Sequence, residues 1–417
     1  MADLPDRLRH SLTSQVASQV LKLAVSIGIG GWMARYLGPA DLGKLSYVGA
    51  LVGVLAPLGS LGVQGSVSAL LCQQPRLPGL VSTALLIEIL GTVVIALALL
   101  PFALATKDHQ IAALIAIAVL GNLFNSAEVF ETELLNRQRG TVLARLGLFQ
   151  TFAGAFLSTT ALLLQAPLLA FGWLQVIQSV LRAWLLGSVL QGRHLLRDLR
   201  EACIPTAFAL IKRGVPLLIA GLSVSLYMKS DMVMLQWLKG PSAVGQYSVA
   251  VRVAESLYFL PVMLASTYMP RIGKGDLDFN KNPELQELYS MAWLLGIAMM
   301  AVSILILPLF IPVVFGPNYQ QAQLALAIAG PAAFAVSTGC ASSCWLQLNN
   351  LEWISTARVA AGCIINIALN LVLIPWLGTA GAALATSISY VLATFGVMMF
   401  YNGETRRNSM SLLLGPF

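Results

Sequence analysis

Charge is scarce in this chain. Asp, Glu, Lys and Arg make up 10% of its 417 residues, against about 25% in a soluble globular domain, and so few charges cannot solvate a globular surface. Long loops on one side of the chain's apolar runs are missing too, as is any Walker-type phosphate loop, which excludes direct ATP hydrolysis by that device. The five cysteines (Cys72, Cys203, Cys340, Cys344 and Cys363) lack metal-site spacing, so neither zinc nor redox chemistry is expected of them. No small-residue cleavage site precedes "ARYLGP", so the first apolar run reads as a retained span and not a signal peptide. A net charge of +7 would suit a nucleic-acid partner if it formed a face. The basic residues are instead scattered singly between apolar runs, which excludes that reading.

What the chain has is hydrocarbon. It is 57% hydrophobic with a mean hydropathy of +0.78, the composition of a membrane protein. Windows of about 20 apolar residues, enough to cross a hydrocarbon core, fall near 14–36, 45–70, 78–104, 110–135, 143–165, 167–190, 214–238, 243–268, 286–315, 320–347, 355–376 and 379–401. Twelve spans are expected, separated by turn clusters such as "YLGP", "TKDHQ" and "FGPNYQ". With the N-terminus inside, seventeen Lys and Arg residues fall in cytoplasmic segments and four (Arg35, Lys44, Lys107, Lys239) on the other side. The positive-inside rule then puts both termini in the cytoplasm. Trp32, Trp237 and Trp376 fall at outer helix ends, where aromatic rings favour the interface.

The stretch "LGPADLGKLSYV" (Leu37 to Val48) has an echo about two hundred residues later in "KGPSAVGQYSVA" (Lys239 to Ala250). Gly38, Pro39, Gly43 and Ser46 recur as Gly240, Pro241, Gly245 and Ser248. If six spans precede the long segment 191–213 and six follow it, both turns join the first and second spans of their halves. An even number of crossings makes such a repeat parallel, about an axis along the membrane normal. The expected organisation is a six-helix lobe over 1–190, a cytoplasmic linker over 191–213 and a second six-helix lobe over 214–417. In the linker Leu195, Leu196 and Leu199 alternate with Arg193, Arg197 and Arg200, the pattern either of a short helix lying on the inner leaflet or of a plain long loop.

With those hairpins in hand, the chain resembles the polysaccharide (O-antigen and exopolysaccharide) flippases of the multidrug, oligosaccharidyl-lipid and polysaccharide exporter superfamily. The likeness is carried by "ARYLGPADLGKLSYV", by "KRGVPLLIAGLSVSLYMKSDMVMLQWLKGPSAVGQYSVAVRVAESLYFLP" and by "LGTAGAALATSISYVL" near the end. It implies an all-α, V-shaped, two-lobed transporter of the cytoplasmic (inner) membrane. Such a protein is no enzyme, has no catalytic residue or cofactor, and moves a polyprenyl-diphosphate-linked oligosaccharide to the outer leaflet by alternating access. Its implied partners are that lipid-linked oligosaccharide, membrane lipids and, alongside them, polysaccharide polymerase machinery. Twelve spans omit the extra pair typical of lipid II flippases. Two other readings stay open: a multidrug extruder of the same superfamily, and a membrane-embedded polysaccharide polymerase or glycosyltransferase, which would be expected to carry a long outer loop that this chain lacks.

A charge at the bilayer centre costs about 2.5 to 3.5 kcal/mol on insertion scales, so ionisable residues within spans are functional candidates. Gln15, Gln19, Lys22 and Ser26 form one helical stripe. Lys22 lies roughly 12 Å along the helix from Ser14, which suits either a cavity or snorkelling to the headgroups. Lys229 and Asp231 are two residues apart and do not share a face, whereas Arg252 and Glu255, three apart, can pair. A diphosphate in hydrocarbon needs fixed cations. Lys22, Lys229 and Arg252 are therefore the expected substrate contacts, with Asp231 and Glu255 as a coupling or structural ion pair; Asp231 alone is also carried over from the resemblance. Asn366 and Asn370, one turn apart, are expected to meet sugar hydroxyls, with helix-to-helix hydrogen bonding as the alternative. Glu88, Glu128 and Arg182 are further buried candidates. Membrane potential, protons or sodium stand as energy sources.

Overall fold

The computed structural model describes residues 6–73, 79–137, 139–189, 204–273, 275, 281–396 and 399. The interlobe segment 190–203, with the expected surface helix, lies outside them, as does the side chain of Gln15.

Every long apolar window became helix, because a backbone in hydrocarbon has only its own carbonyls to bond. In chain order the helices are α1 (Asp6–Ser60), α2 (Val63–Gln73), α3 (Leu80–Ala105), α4 (His109–Asn125), α5 (Glu128–Asn136), α6 (Gly140–Leu163) and α7 (Leu168–Val189). There follow α8 (Ile204–Lys239), α9 (Pro241–Glu255), α10 (Phe259–Ile272), α11 (Pro283–Ala301), α12 (Leu307–Val314), α13 (Gln320–Ile328), α14 (Gly330–Leu348), α15 (Glu352–Leu377) and α16 (Thr379–Val391). Residues 204–213 of the expected linker are helical and run on into the rest of α8.

Among the described residues ten helical stretches are long and apolar enough to cross a membrane, counting Gln19–Ser60 once. The pair Gln320–Ile328 and Gly330–Leu348, bent by 42°, makes an eleventh. The break at Gly38 (φ 70, ψ 174) divides Gln19–Ser60 in two, which accounts for the twelfth. The chain is an all-α, multi-pass membrane protein of twelve spans. Its surface agrees: Leu97, Leu104, Phe156, Ile364 and Trp376 are all more than 60% exposed, in keeping with contact with lipid tails.

Contacts divide the chain into a first unit of Met1–Leu37 with Leu51–Leu222 and a second of Gly38–Ala50 with Ser223–Phe417. In the first, Val63, Val67, Leu80, Ala84, Val129 and Leu210 form one core, and Leu85, Phe130, Leu134 and Leu186 form another. Helices of this unit touch backbone to backbone at small residues, as membrane helices do. A Cβ on Gly91 would fall 2.0 Å from the Gly59 carbonyl oxygen, and one on Gly62 would fall 2.1 Å from that of Gly214. Asp108 caps α4 by accepting from the Gln110 amide at 2.8 Å, which satisfies one of the amides left open at a helix start.

The second unit is built around Tyr289 and Trp345, both fully buried, with Leu285, Leu288, Ile272 and Phe395. Asn282 caps α11 by accepting from the Leu285 amide at 3.1 Å, and Pro283 takes the first helical position, where no amide hydrogen is needed. Gln246 ties the turn before α13 to α9: its amide donates to the Asn318 carbonyl at 2.6 Å and accepts from the Ala322 amide at 3.1 Å.

The echoed motif is two copies of one turn. Gly240 (φ 84, ψ 179) closely repeats the backbone of Gly38, a region closed to residues with a Cβ. Proline at the next position then starts each helix.

Candidate functional site

Each unit buries its own polar constellation, and the two are described in turn.

In the first unit the residues come from six helices. Lys22, half-buried on α1, lines a cavity of about 380 Å³ together with Glu131, Gln150 and Arg182. Arg182 of α7 reaches α5 and holds two carboxylates there. Its Nη1 donates to Glu128 Oε1 at 2.7 Å, while Nε and Nη2 reach Glu131 Oε1 at 3.0 and 2.8 Å. Glu128 is further bound by Gln64 of α2, whose Nε2 donates to Oε2 at 3.2 Å. Behind Glu128 lies a smaller cavity of about 110 Å³, into which α3 brings Glu88, only 4% exposed. Of the expected stripe on α1, Gln19 and Ser26 are exposed.

In the second unit Asp231 of α8 is buried and accepts from the Tyr247 hydroxyl at 2.5 Å and from the Met232 amide at 2.8 Å. Tyr247 in turn meets Thr386 at 3.2 Å, which accepts from Asn366 at 3.4 Å; Asn366 also reaches Ser389 at 3.3 Å. Asn370 donates to Asn366 Oδ1 at 2.9 Å. Asn366 and Asn370 do share a face, as their spacing requires, and both are fully buried. The Asn366 amide ties α15 to α16. Asn370 bonds only to Asn366 on its own helix, and its Oδ1 is without a hydrogen-bond partner among the described residues.

The ion pairing differs from the expected one. Glu255 meets Lys229 across helices, Nζ to Oε1 at 3.8 Å, and not Arg252 on its own helix. Arg252 is exposed on the unit's surface and has no ion-pair partner within 4 Å among the described residues. Lys22 belongs to the first unit and Lys229 and Arg252 to the second. Arg358 is buried on α15 and donates to the hydroxyls of Ser342 and Ser343, both at 2.6 Å. Glu131 and Gln64 were missed as candidates. Both lie near the ends of their helices, where sequence gives no reason to bury them.

The family model described as polysaccharide biosynthesis protein matches residues 10–275. The chain belongs to that family. The match takes in Lys22, Glu88, Glu128, Arg182, Lys229, Asp231, Arg252 and Glu255, and stops before Asn366 and Asn370. The fold of this family member is also that of solved transporters. The lipid II flippase MurJ in an inward closed conformation is 13% identical with a TM-score of 0.72, covering 96% of this chain and 90% of that one. An inward-facing multidrug resistance MATE transporter of the MOP superfamily is 15% identical with a TM-score of 0.68, covering 94% and 95%. The MATE multidrug transporter DinF-BH is 16% identical with a TM-score of 0.64, covering 97% of each chain. At such identities the likeness carries the fold alone: twelve membrane helices in two six-helix lobes. No curated protein matches the chain in sequence.

Proposed function

We propose that this protein is a flippase that carries a polyprenyl-diphosphate-linked oligosaccharide from the cytoplasmic to the outer leaflet of the inner membrane by alternating access. The observation that carries the reading is membership of the polysaccharide biosynthesis family in a chain with a transporter's fold. A polysaccharide pathway that needs such a protein must move a sugar headgroup through hydrocarbon, and its anionic link to the lipid is the hardest part to move.

Lys22 and Arg252 are the cations we assign to the diphosphate, with Lys229 joining them when its loose contact to Glu255 opens. At 3.8 Å that contact is electrostatic and not a hydrogen bond, so little holds it closed. Both termini are assigned to the cytoplasm on the charge asymmetry of the loops. Moving roughly two negative charges outward across an inside-negative membrane gains about 4 to 5 kcal/mol per 100 mV, so the potential itself can drive export. Protons or sodium acting through Asp231 are the alternative source. Asn366 and Asn370 stay our candidates for the sugar hydroxyls, Asn370 through the Oδ1 that has no partner among the described residues.

The test is reconstitution. Proteoliposomes holding the protein and a fluorescent polyprenyl-diphosphate oligosaccharide should expose the sugar to an external lectin or glycosidase faster than protein-free vesicles. In cells lacking the protein, a lipid-linked oligosaccharide should accumulate on the inner leaflet. Equal rates with and without protein, together with extrusion of cationic dyes, would move the assignment to a multidrug exporter.

A further inference from the structure

The cavity behind Glu128 holds a buried carboxylate oxygen without a partner among several other oxygens. Glu88 is 4% exposed, and its Oε1 has no hydrogen-bond partner. Three hydroxyls line the same cavity, from Ser60, Thr92 and Ser126. Each spends its single hydrogen on a nearby backbone carbonyl: Ser60 on Pro57 at 3.2 Å, Thr92 on Glu88 at 3.0 Å, and Ser126 on Leu123 at 2.7 Å. Towards the cavity these hydroxyls therefore offer lone pairs only. The Asn125 amide donates one hydrogen to Asn122 Oδ1 at 3.3 Å and that of Gln64 one to Glu128 at 3.2 Å, and each keeps a second N–H.

Charge leads to the same place. Arg182 serves Glu128 and Glu131, and Lys22 lines the cavity that Glu131 and Arg182 share. With all three carboxylates ionised, Glu88, Glu128 and Glu131 would outnumber Lys22 and Arg182 by one negative charge. A buried carboxylate without a counter-charge is costly, and one monovalent cation would remove the excess where a divalent ion would overshoot. Protonating Glu88 would also neutralise it, but it would supply one hydrogen to a wall of several acceptors. A hard cation satisfies several oxygens together. The volume, about 110 Å³, holds such an ion with a few waters.

We propose that Glu88, Thr92, Ser60 and Ser126, within the first unit, form a binding site for a monovalent alkali cation. The site is defined by this chain's own oxygens and does not depend on what the protein carries.

The test uses the full-length protein in detergent, with thermal unfolding followed as NaCl, KCl or LiCl replaces choline chloride at constant ionic strength. Sodium should raise the midpoint saturably, as binding to the folded state alone requires. Glu88→Gln should lose that rise while unfolding in choline at the wild-type temperature or above it, because the variant removes an uncompensated charge. Thr92→Val keeps the shape and removes only an oxygen, so it should weaken the apparent sodium affinity about threefold to tenfold. That variant keeps the question open to test if Glu88→Gln fails to fold. Three results would overturn the site: a wild-type midpoint indifferent to all three cations, an unchanged sodium titration in Glu88→Gln and Thr92→Val, or stabilisation by low pH alone that Glu88→Gln abolishes, which would make Glu88 a proton carrier. Because no lipid-linked sugar enters the assay, a failed flipping experiment leaves this site standing, and a failed sodium titration leaves the flippase reading standing.

Discussion

Gly43 and Gly245 hold two helix starts in direct backbone contact. A Cβ on Gly43 would lie 1.7 Å from the Pro241 carbonyl oxygen, and one on Gly245 would lie 1.9 Å from that of Pro39. The contact is reciprocal: the glycine of each turn faces the proline of the other, as a local two-fold requires. The echo in the sequence thus records a meeting of the two copies, where any side chain at either glycine would strike main chain.

Gly43→Ala or Gly245→Ala should therefore destabilise the protein by at least about 1 to 3 kcal/mol, the range for overpacking, since the obstacle is backbone and cannot swing away. Gly49→Ala is the control. A Cβ there meets open space, so that variant should be neutral or gain up to about 1 kcal/mol of helix propensity. Unfolding in a graded detergent or denaturant series compares the three.

Lys22→Ala and Arg252→Ala should each slow flipping of a lipid diphosphate oligosaccharide about tenfold or more, the loss of one charge-assisted contact, while inserting at wild-type levels. Wild-type rates in both variants at equal protein levels would end the cationic-contact assignment.

Removing Arg182 leaves Glu128 and Glu131 without the cation that hydrogen-bonds them both. Arg182→Met should cost about 1 to 3 kcal/mol, less than for a fully buried pair because Arg182 is 28% exposed and its partners 37% and 34%. Glu131→Gln should cost less, since Arg182 still has Glu128. The double variant should fall short of the sum of the two, and thermal unfolding of all four proteins measures the coupling.

In the second unit the order of effects is the prediction. Tyr247→Phe strips the hydroxyl from a carboxylate that is 3% exposed and leaves it the Met232 amide alone, a loss of about 1 to 3 kcal/mol. Asp231→Asn still offers Tyr247 an acceptor and removes a buried charge, so it should be the milder change. A larger loss of thermal stability in Asp231→Asn would mean that the carboxylate's charge, and not its hydrogen bond, holds α8 to α9.

The spans were legible because hydrocarbon allows one backbone solution, and a run of some twenty apolar residues announces it. The turns were legible through Gly-Pro, whose backbone demands are local. Pairings across helices were not. Periodicity offered Glu255 a partner three residues away, Arg252, and the structure gave it Lys229 on the preceding helix; Arg182 found Glu128 and Glu131 more than fifty residues upstream. Asn366 and Asn370 were read correctly as one face, but a polar face inside a membrane protein can meet either a ligand or another helix, and composition is the same in both cases.

The assignment of residues 38–50 to the second unit has a consequence for biogenesis. The ribosome releases this hairpin nearly two hundred residues before Pro241 and Gly245, against which it docks. At roughly 5 to 20 residues per second the nascent segment waits about 10 to 40 s for its counterpart. For that interval a turn shaped for close backbone contact stands unmated in the bilayer, so the insertion machinery or neighbouring lipid must shelter it. A translation product interrupted before residue 241 would leave the membrane with an orphaned half-clasp.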